Sequence, residues 1–166
     1  PDAYRLDNRR QTTRWNDGRG VLKSSDLKVN DVGFINDMIS DIARTHPLDE
    51  RRIFVTGASN GGIMAYRIGC ELAARVRAIA PVISNVAAPI AGTCAPAAGL
   101  SILAINGDSD AYIPLNGGKV CPNVSKLFCE GGYVVSRDQS VGYFSAANGC
   151  SSTPIRQARP VKVNDG

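Results

Sequence analysis

The sequence predicts an α/β fold with a mainly parallel sheet and helices packed on its faces. Short apolar or β-branched runs typical of buried strands alternate with helical patterns in short units, which favours parallel strands joined by helices. The chain has 166 residues, of which 43% are hydrophobic and 20% charged, a composition that suits one globular domain with a real core. We therefore treat residues 1–166 as a single domain.

The chain begins with an irregular segment and a first helix. Residues 1–30 are polar, rich in Arg and Asp, and contain the turn-like run Trp15-Asn16-Asp17-Gly18. Asn30 or Asp31 can cap a helix that ends before Pro47. Its apolar residues are predicted to fall on one face: Ile35, Met38, Ile39, Ile42 and Ala43.

The middle of the chain supplies the sheet. The β-branched and aromatic run 52–56 predicts a buried strand that breaks at Gly57, and a helix follows over 60–74. Two further apolar strands are predicted at 77–83 and 100–105. The loop between them is rich in Ala, Pro and Gly.

Local signals weaken after Pro114. Two pairs of glycines, at 117–118 and 131–132, bracket a loop that contains Cys121 and Cys129. A helix is predicted over 136–147, and the polar tail 151–166 shows no element.

Composition excludes several function classes. The net charge of +4 comes from scattered Lys and Arg residues, so a nucleic-acid surface is not expected. No stretch approaches 18 unbroken apolar residues, which argues against a membrane span. The chain has one His and five Cys without a CxxC pair, so no zinc site is expected.

The strongest chemical signal is the G-x-S-x-G motif Gly57-Ala58-Ser59-Asn60-Gly61. It lies between a predicted strand and a predicted helix, where a nucleophile elbow holds its serine in a strained turn. We expect the flanking glycines to be required because a Cβ there would collide with the neighbouring strand and helix. The helix N-terminus offers the Asn60 N–H as a donor to a developing oxyanion.

A serine nucleophile needs a base, and the base needs an orienting carboxylate. The third predicted strand ends in Asn106-Gly107-Asp108-Ser109-Asp110, so Asp108 and Asp110 are both candidates for that acid. A metal site of Asn106, Asp108 and Asp110 is the alternative, but no further ligand cluster accompanies it.

Together these motifs resemble the secreted polyhydroxybutyrate depolymerase and feruloyl or acetylxylan esterase group of α/β-hydrolases. The resemblance covers residues 15 to about 153 and rests on these stretches: Trp15-Asn16-Asp17-Gly18-Arg19, Asp31-Val32-Gly33-Phe34-Ile35, residues 52–67, Ala78-Ile79-Ala80-Pro81-Val82, Gly107-Asp108-Ser109-Asp110, Ile113-Pro114, Gly117-Gly118 and Asn148-Gly149-Cys150.

The resemblance implies an α/β-hydrolase fold without its first strands and last strand. It implies that Ser59 is the nucleophile and Asp110 the acid, with Asp108 less suited. Asn106 stands where the family has a His, and Ala111 where it has a Pro, departures that concern loop shape. The implied reaction is hydrolysis of polyester or cell-wall esters through an acyl-enzyme, without a metal or organic cofactor.

The resemblance also implies a catalytic His in a Gly-Gly-His segment that would lie beyond Gly166, and an oxyanion loop that would precede Pro1. His46 follows the first helix and is expected to be an ordinary helix-terminal histidine. We therefore interpret the chain as the middle of an esterase. Trp15 is expected near the mouth of the active site, as a substrate-binding residue.

The cysteines and the compartment follow from the same resemblance. It implies a Cys70–Cys94 disulfide and a partner for Cys150 beyond Gly166. Cys121 and Cys129 are close enough in sequence to close a small loop with a second disulfide, and the alternative for the five cysteines is a few buried thiols. Disulfides and the family suggest a secreted or periplasmic protein.

A rival interpretation is a catalytically incomplete fragment or binding remnant that keeps the elbow only as a fold feature. The partners expected are ester substrates, with neither nucleic acid nor membrane. An incomplete sheet would also expose apolar edges and faces, which predicts self-association or the presence of the missing segments.

Overall fold

A computed structural model of the chain describes residues 14–21, 28–124, 129 and 131–158. The predicted irregular segment lies outside the described residues at 1–13 and 22–27, and so does the predicted tail at 159–166. In the described parts of both segments the backbone forms no helix or strand.

Helix α1 (Asp31–Thr45) begins and ends close to where the sequence predicts. The Asn30 side chain caps it by accepting a hydrogen bond from the Gly33 N–H, and the His46 N–H closes the last turn on the Ile42 carbonyl at 2.8 Å.

The buried side of α1 differs from the predicted apolar face. Val32 and Ile39 are buried and Ile35 packs against the core, whereas Met38 and Ile42 are 38% and 43% exposed. Positions 32, 35 and 39 share one side of the helix, and that side faces the core that the following helix, Asn60–Glu71, also packs against. Only part of the predicted apolar face is therefore buried in the described chain.

Three parallel strands form the sheet, in the order β1 (Phe54–Ala58), β2 (Ala78–Val82) and β3 (Ser101–Ile102). A 3₁₀ turn over Glu50–Arg52 occupies the predicted start of the first strand. The strand does not break at Gly57 but continues through Ala58, because both residues pair with β2.

Helix α2 (Asn60–Glu71) connects β1 to β2 and ends three residues before the predicted end. Strand β3 is shorter than predicted, but its ladder continues past it. The Leu103 N–H donates to the Ile79 carbonyl at 3.0 Å and the Ile105 N–H to the Pro81 carbonyl at 3.1 Å.

The second half of the chain contains elements that the sequence pattern did not predict. A short helix α3 (Ala88–Ala91) interrupts the predicted loop 84–99. Strands β4 (Gly118–Lys119) and β5 (Tyr133–Val134) form an antiparallel pair at the base of the Cys121–Cys129 loop. Helix α4 (Arg137–Ala147) follows as predicted, capped by the Ser136 hydroxyl.

The main core lies on one face of the sheet. Ile79 of β2 is buried there between α2 and α4, and its register partners Val55 and Ile102 point to the same side. The rings of Tyr66 and Phe144 contact one another at a centroid distance of 6.0 Å and join α2 to α4.

The other face of the sheet is open in the described part of the chain. Phe54, Leu103 and Ile105 are 66%, 61% and 50% exposed, and they alternate with the buried positions along their strands. The expectation of helices on both faces is thus met on one face only among the described residues.

Two disulfides join segments that lie outside the sheet. Cys70 near the end of α2 is bonded to Cys94, and Cys121 is bonded to Cys129. Cys150 is a free, exposed thiol. Within the described ranges, no helix has the length and apolar character needed to cross a bilayer.

Candidate active site

Ser59 occupies a strained turn between β1 and α2. Its backbone has φ 53° and ψ −122°, a conformation that residues other than glycine seldom adopt. The Ser59 N–H donates to the Val82 carbonyl at 3.1 Å, which ties the turn to β2. Ser59 is the N-cap of α2, yet its side chain makes no capping hydrogen bond. The hydroxyl is therefore exposed at a helix N-terminus rather than engaged in holding it.

Close backbone packing explains one of the two flanking glycines. A Cβ on Gly57 would lie 2.4 Å from the Gly61 carbonyl oxygen. A Cβ on Gly61 would meet nothing within 4 Å, so the expectation that both glycines avoid a collision is wrong at Gly61. The second close approach is instead at Gly62, whose Cβ would lie 2.4 Å from the Ser84 hydroxyl oxygen.

The side chain of Asn60 fixes the segment that crosses the elbow. Its Oδ1 accepts from the Trp15 N–H at 2.8 Å, and its Nδ2 donates to the Trp15 carbonyl at 3.1 Å and to Asp17 Oδ2 at 2.6 Å. The backbone N–H of Asn60, at the first position of α2, has no carbonyl one turn earlier in the helix to bind. It is thus available for the oxyanion role predicted from the sequence.

Asp17 and Arg19 form a buried ion pair beneath this segment. Asp17 is fully buried and Arg19 is 7% exposed. The carboxylate accepts from Arg19 Nε and Nη2, both at 2.9 Å. Arg19 Nη1 donates to the Gly131 carbonyl at 2.6 Å. Residues 15–19 therefore link the elbow to the segment that follows the Cys121–Cys129 disulfide.

Asp110 lies in the loop after β3. Its Oδ1 accepts from the N–H groups of Tyr112 at 2.7 Å and Ile113 at 2.9 Å, an arrangement that fixes the carboxylate against the backbone. Asp108 accepts from the Ser109 hydroxyl and is exposed.

A cavity of about 270 Å³ brings Ser59, Asn60 and Asp110 together. Its apolar wall is formed by Ile63, Ile83, Ile113 and Val120. Arg14, Arg19, Tyr112 and the Cys121–Cys129 disulfide complete the lining. An exposed serine hydroxyl, a helix N-terminus and a carboxylate around one apolar cavity are suited to covalent acyl transfer.

Three other predicted residues do not line this cavity: Asp108, His46 and Trp15. His46 is exposed at the C-terminus of α1, ahead of β1, while Ser59 follows the far end of that strand. The Trp15 side chain packs against the main core, and only its backbone contacts the elbow residue Asn60.

Sequence reasoning missed several residues of the cavity. Ile83 carries no motif or periodicity that marks it as a site residue, and Arg19, although part of the Trp15–Arg19 stretch, was not predicted to line the site. The disulfide as a cavity wall and Asp17 as a support of the elbow likewise follow only from contacts between distant segments. Among the residues that the structure describes, no group of three or more His, Cys, Asp or Glu side chains could hold a metal ion.

The chain is similar to curated feruloyl esterases. It is 36% identical over 92 residues to Feruloyl esterase B of Piromyces equi, which is 54% of this chain and 17% of that protein. It is 30% identical over 127 residues to Feruloyl esterase C of Emericella nidulans, 76% of this chain and 39% of that protein. It is 28% identical over 131 residues to Probable feruloyl esterase C of Aspergillus oryzae, 79% of this chain and 40% of that protein.

These alignments thus span well under half the length of each relative. No protein-family model and no solved structure matches the chain significantly. The comparisons support a likeness to esterases and no finer assignment.

Proposed function

We propose that this chain carries the nucleophile, an oxyanion donor and the acidic residue of a serine carboxylic-ester hydrolase. The observation that carries the proposal is the strained turn at Ser59, which opens onto the same cavity as Asp110. The likeness to feruloyl esterases supports ester chemistry in particular.

In this proposal the Ser59 Oγ attacks the ester carbonyl carbon and its proton passes to a histidine. The oxyanion accepts a hydrogen bond from the Asn60 N–H, and the alcohol leaves with the proton from the histidine. Water then attacks the acyl-enzyme by the same route in reverse, which frees the acid and restores the Ser59 hydroxyl. Asp110 orients the histidine.

That histidine is proposed to lie outside the 166 residues. His46 is exposed at the end of α1 and does not line the cavity. The resemblance described above suggests a segment that would follow Gly166. Loss of one triad member costs on the order of 10⁴ to 10⁶ in kcat, so the isolated chain is expected to be a poor catalyst.

The substrates proposed are polyesters or the feruloyl and acetyl esters of plant cell walls. The compartment proposed is extracellular or periplasmic, because the two disulfides are stable in oxidising surroundings. We further propose that residues 1–166 belong to one catalytic domain. Trp15 contributes to it through its backbone, which is bonded to the Asn60 side chain, and through its side chain, which packs against the main core.

The test is the intact mass of the protein before and after reaction with a fluorophosphonate, with and without added imidazole. Neutral imidazole can accept the Ser59 proton in place of a missing histidine. One added label that forms faster with imidazole, and is absent in Ser59→Ala, supports the proposal. The matched control is Ser109→Ala, a serine on an exposed loop outside the cavity, which should be labelled like the wild type.

A wild-type chain that takes no label under either condition contradicts the proposed chemistry. That outcome favours the rival interpretation, in which the elbow persists only as part of the fold. A starting mass above 17.6 kDa would mean that further segments accompany the chain in the sample.

A further inference from the structure

Ile83 has a backbone conformation that β-branched residues rarely adopt. It follows β2 directly and has φ 44°. A side chain branched at Cβ is a clear outlier in this region, and such strain persists only where surrounding contacts enforce it. Strained residues of this kind cluster at binding and catalytic sites.

Hydrogen bonds to two neighbouring segments of the chain fix the peptide group that joins Val82 to Ile83. Its own N–H donates to the Ile105 carbonyl at 2.7 Å, beside β3. The carbonyl of the preceding residue, Val82, accepts from the Ser59 N–H. The turns after β1 and β2 are therefore coupled through their backbones.

Ile83 and Ser59 occupy equivalent places on neighbouring strands. Ala58 and Val82 are register partners at the ends of β1 and β2, so the next residue of each strand is Ser59 and Ile83. Both residues have positive φ and both line the cavity. Adjacent parallel strands lie about 4.8 Å apart, so the backbones of Ser59 and Ile83 are neighbours at the edge of the cavity that both residues line.

The strained turn places an apolar side chain where glycine would be accommodated without strain. Ile83 is 40% exposed, so its contribution to the core does not account for the choice of a large residue. Ile83 instead lines the cavity together with Ile63, Ile113 and Val120, and Ser59 lines the same cavity.

We propose that Ile83 is a specificity-determining residue, which limits the bulk of the substrate group nearest the ester carbonyl. This inference rests on the proposed role of Ser59. It assigns the site to esters whose acyl group is unbranched next to the carbonyl, as in the feruloyl and acetyl esters proposed above.

The experiment compares labelling rates for two fluorophosphonates, one with small and one with branched phosphorus substituents, in the presence of imidazole. In each reaction the Ser59 oxygen bonds to phosphorus, fluoride leaves and the hydroxyl proton passes to imidazole. The wild type should react faster with the small probe. Ile83→Ala and Ile83→Gly should raise the ratio of the branched-probe rate to the small-probe rate at least about 10-fold, as for other single-group changes in apolar pockets.

Ile42→Ala is the matched control, because Ile42 is 43% exposed on α1 and far along the chain from the cavity wall. Its rate ratio should equal that of the wild type. Ile83→Val removes one methyl group and should shift the ratio in the same direction by less, which keeps a test available if the smaller variants fold poorly.

Two outcomes overturn the inference, and they differ. If Ser59 is labelled and the ratio is unchanged in the Ile83 variants, the size-limiting role is wrong while the proposed nucleophile stands. If wild-type Ser59 takes no label from either probe, the proposed function fails and the inference fails with it.

Discussion

Gly57 and Gly61 flank the same serine but are constrained differently. Gly57 faces the backbone of the first turn of α2, and Gly61 faces open space. The G-x-S-x-G pattern therefore combines one glycine required by packing with one that is not required by the surrounding atoms.

We expect Gly57→Ala to destabilise the fold by at least about 2 kcal/mol, because its Cβ would overlap backbone atoms that cannot move freely. Gly61→Ala should be neutral or stabilise it by up to about 1 kcal/mol, since alanine is favoured over glycine in a helix. Urea unfolding followed by circular dichroism measures both. An equal loss of unfolding free energy in the two variants would contradict the packing argument.

Tyr66 is a second residue with an unusual environment. Its side chain is fully buried in the core, and its hydroxyl has no hydrogen-bond partner among the described residues. Burial raises the pKa of the Tyr66 phenol above its ordinary value, against a smaller opposing effect of the Arg137 charge. The folded state therefore keeps this proton at a pH where the unfolded chain releases it.

Because the Tyr66 pKa is raised on folding, its contribution to stability is present below the unfolded pKa of about 10 and is lost as the pH rises above it. Tyr66→Phe should stabilise the protein by about 1 kcal/mol at neutral pH, since it removes an unpaired buried hydroxyl.

The stability gap between Tyr66→Phe and the wild type should widen above pH 10. Tyr133→Phe, at an exposed position, is the control for tyrosine loss. Urea midpoints measured from pH 7 to 11 test this. A stability gap that stays constant over that range would show that Tyr66 does not cause the loss of stability at alkaline pH.

At the scale of elements, the sequence predicted what is local and missed what depends on distant contacts. The predicted helices start at Asn30, Asn60 and Ser136, and each cap or elbow there has a short-range signature that the structure contains. Apolar runs mark the strands, so their predicted ends lie within about three residues of the observed ends.

The pair β4–β5 has no such signal. Each strand has two residues, and the pairing depends on contacts across the chain, such as the Val135 N–H donating to the Val86 carbonyl at 3.0 Å. Periodicity also predicts the apolar face of α1 but not which part of that face packs against a neighbouring helix.

In the candidate site, too, residues with a local sequence signal were predicted and residues placed by distant contacts were not. Ser59 and Asn60 are predicted from a motif, and Asp110 is one of two carboxylates predicted from the end of a strand, selected by the family resemblance. All three residues line one cavity. Ile83 and the Asp17–Arg19 pair were not predicted, because positive φ and burial of an ion pair are set by tertiary contacts rather than by local pattern.

At the scale of the whole molecule, one face of the sheet exposes large apolar side chains to solvent in the described part of the chain. Phe54, Leu103 and Ile105 form an exposed apolar surface on the side opposite the core. The outer edges of β1 and β3 are also unpaired in the described part of the chain, and such edges readily pair with other strands.

In a sample of the 166-residue chain alone, we expect a second copy to cover this face. Size-exclusion chromatography with light scattering should give a mass above that of a monomer. Leu103→Lys should shift it toward the monomer, because a charge in a covered apolar surface is costly. Leu48→Lys, at an exposed loop position, should not. A strict monomer of wild-type mass would contradict this expectation.

The two hydrogen bonds between the Asn60 side chain and the Trp15 backbone have a practical consequence for spectroscopy. The chain contains one tryptophan, and both backbone polar groups of that residue are bonded to the side chain that follows the candidate nucleophile. Tryptophan fluorescence thus arises from a single indole whose backbone is bonded to Asn60. The protein carries its own optical reporter, and ligand binding, acylation or loosening of the turn can be followed by emission without an introduced dye.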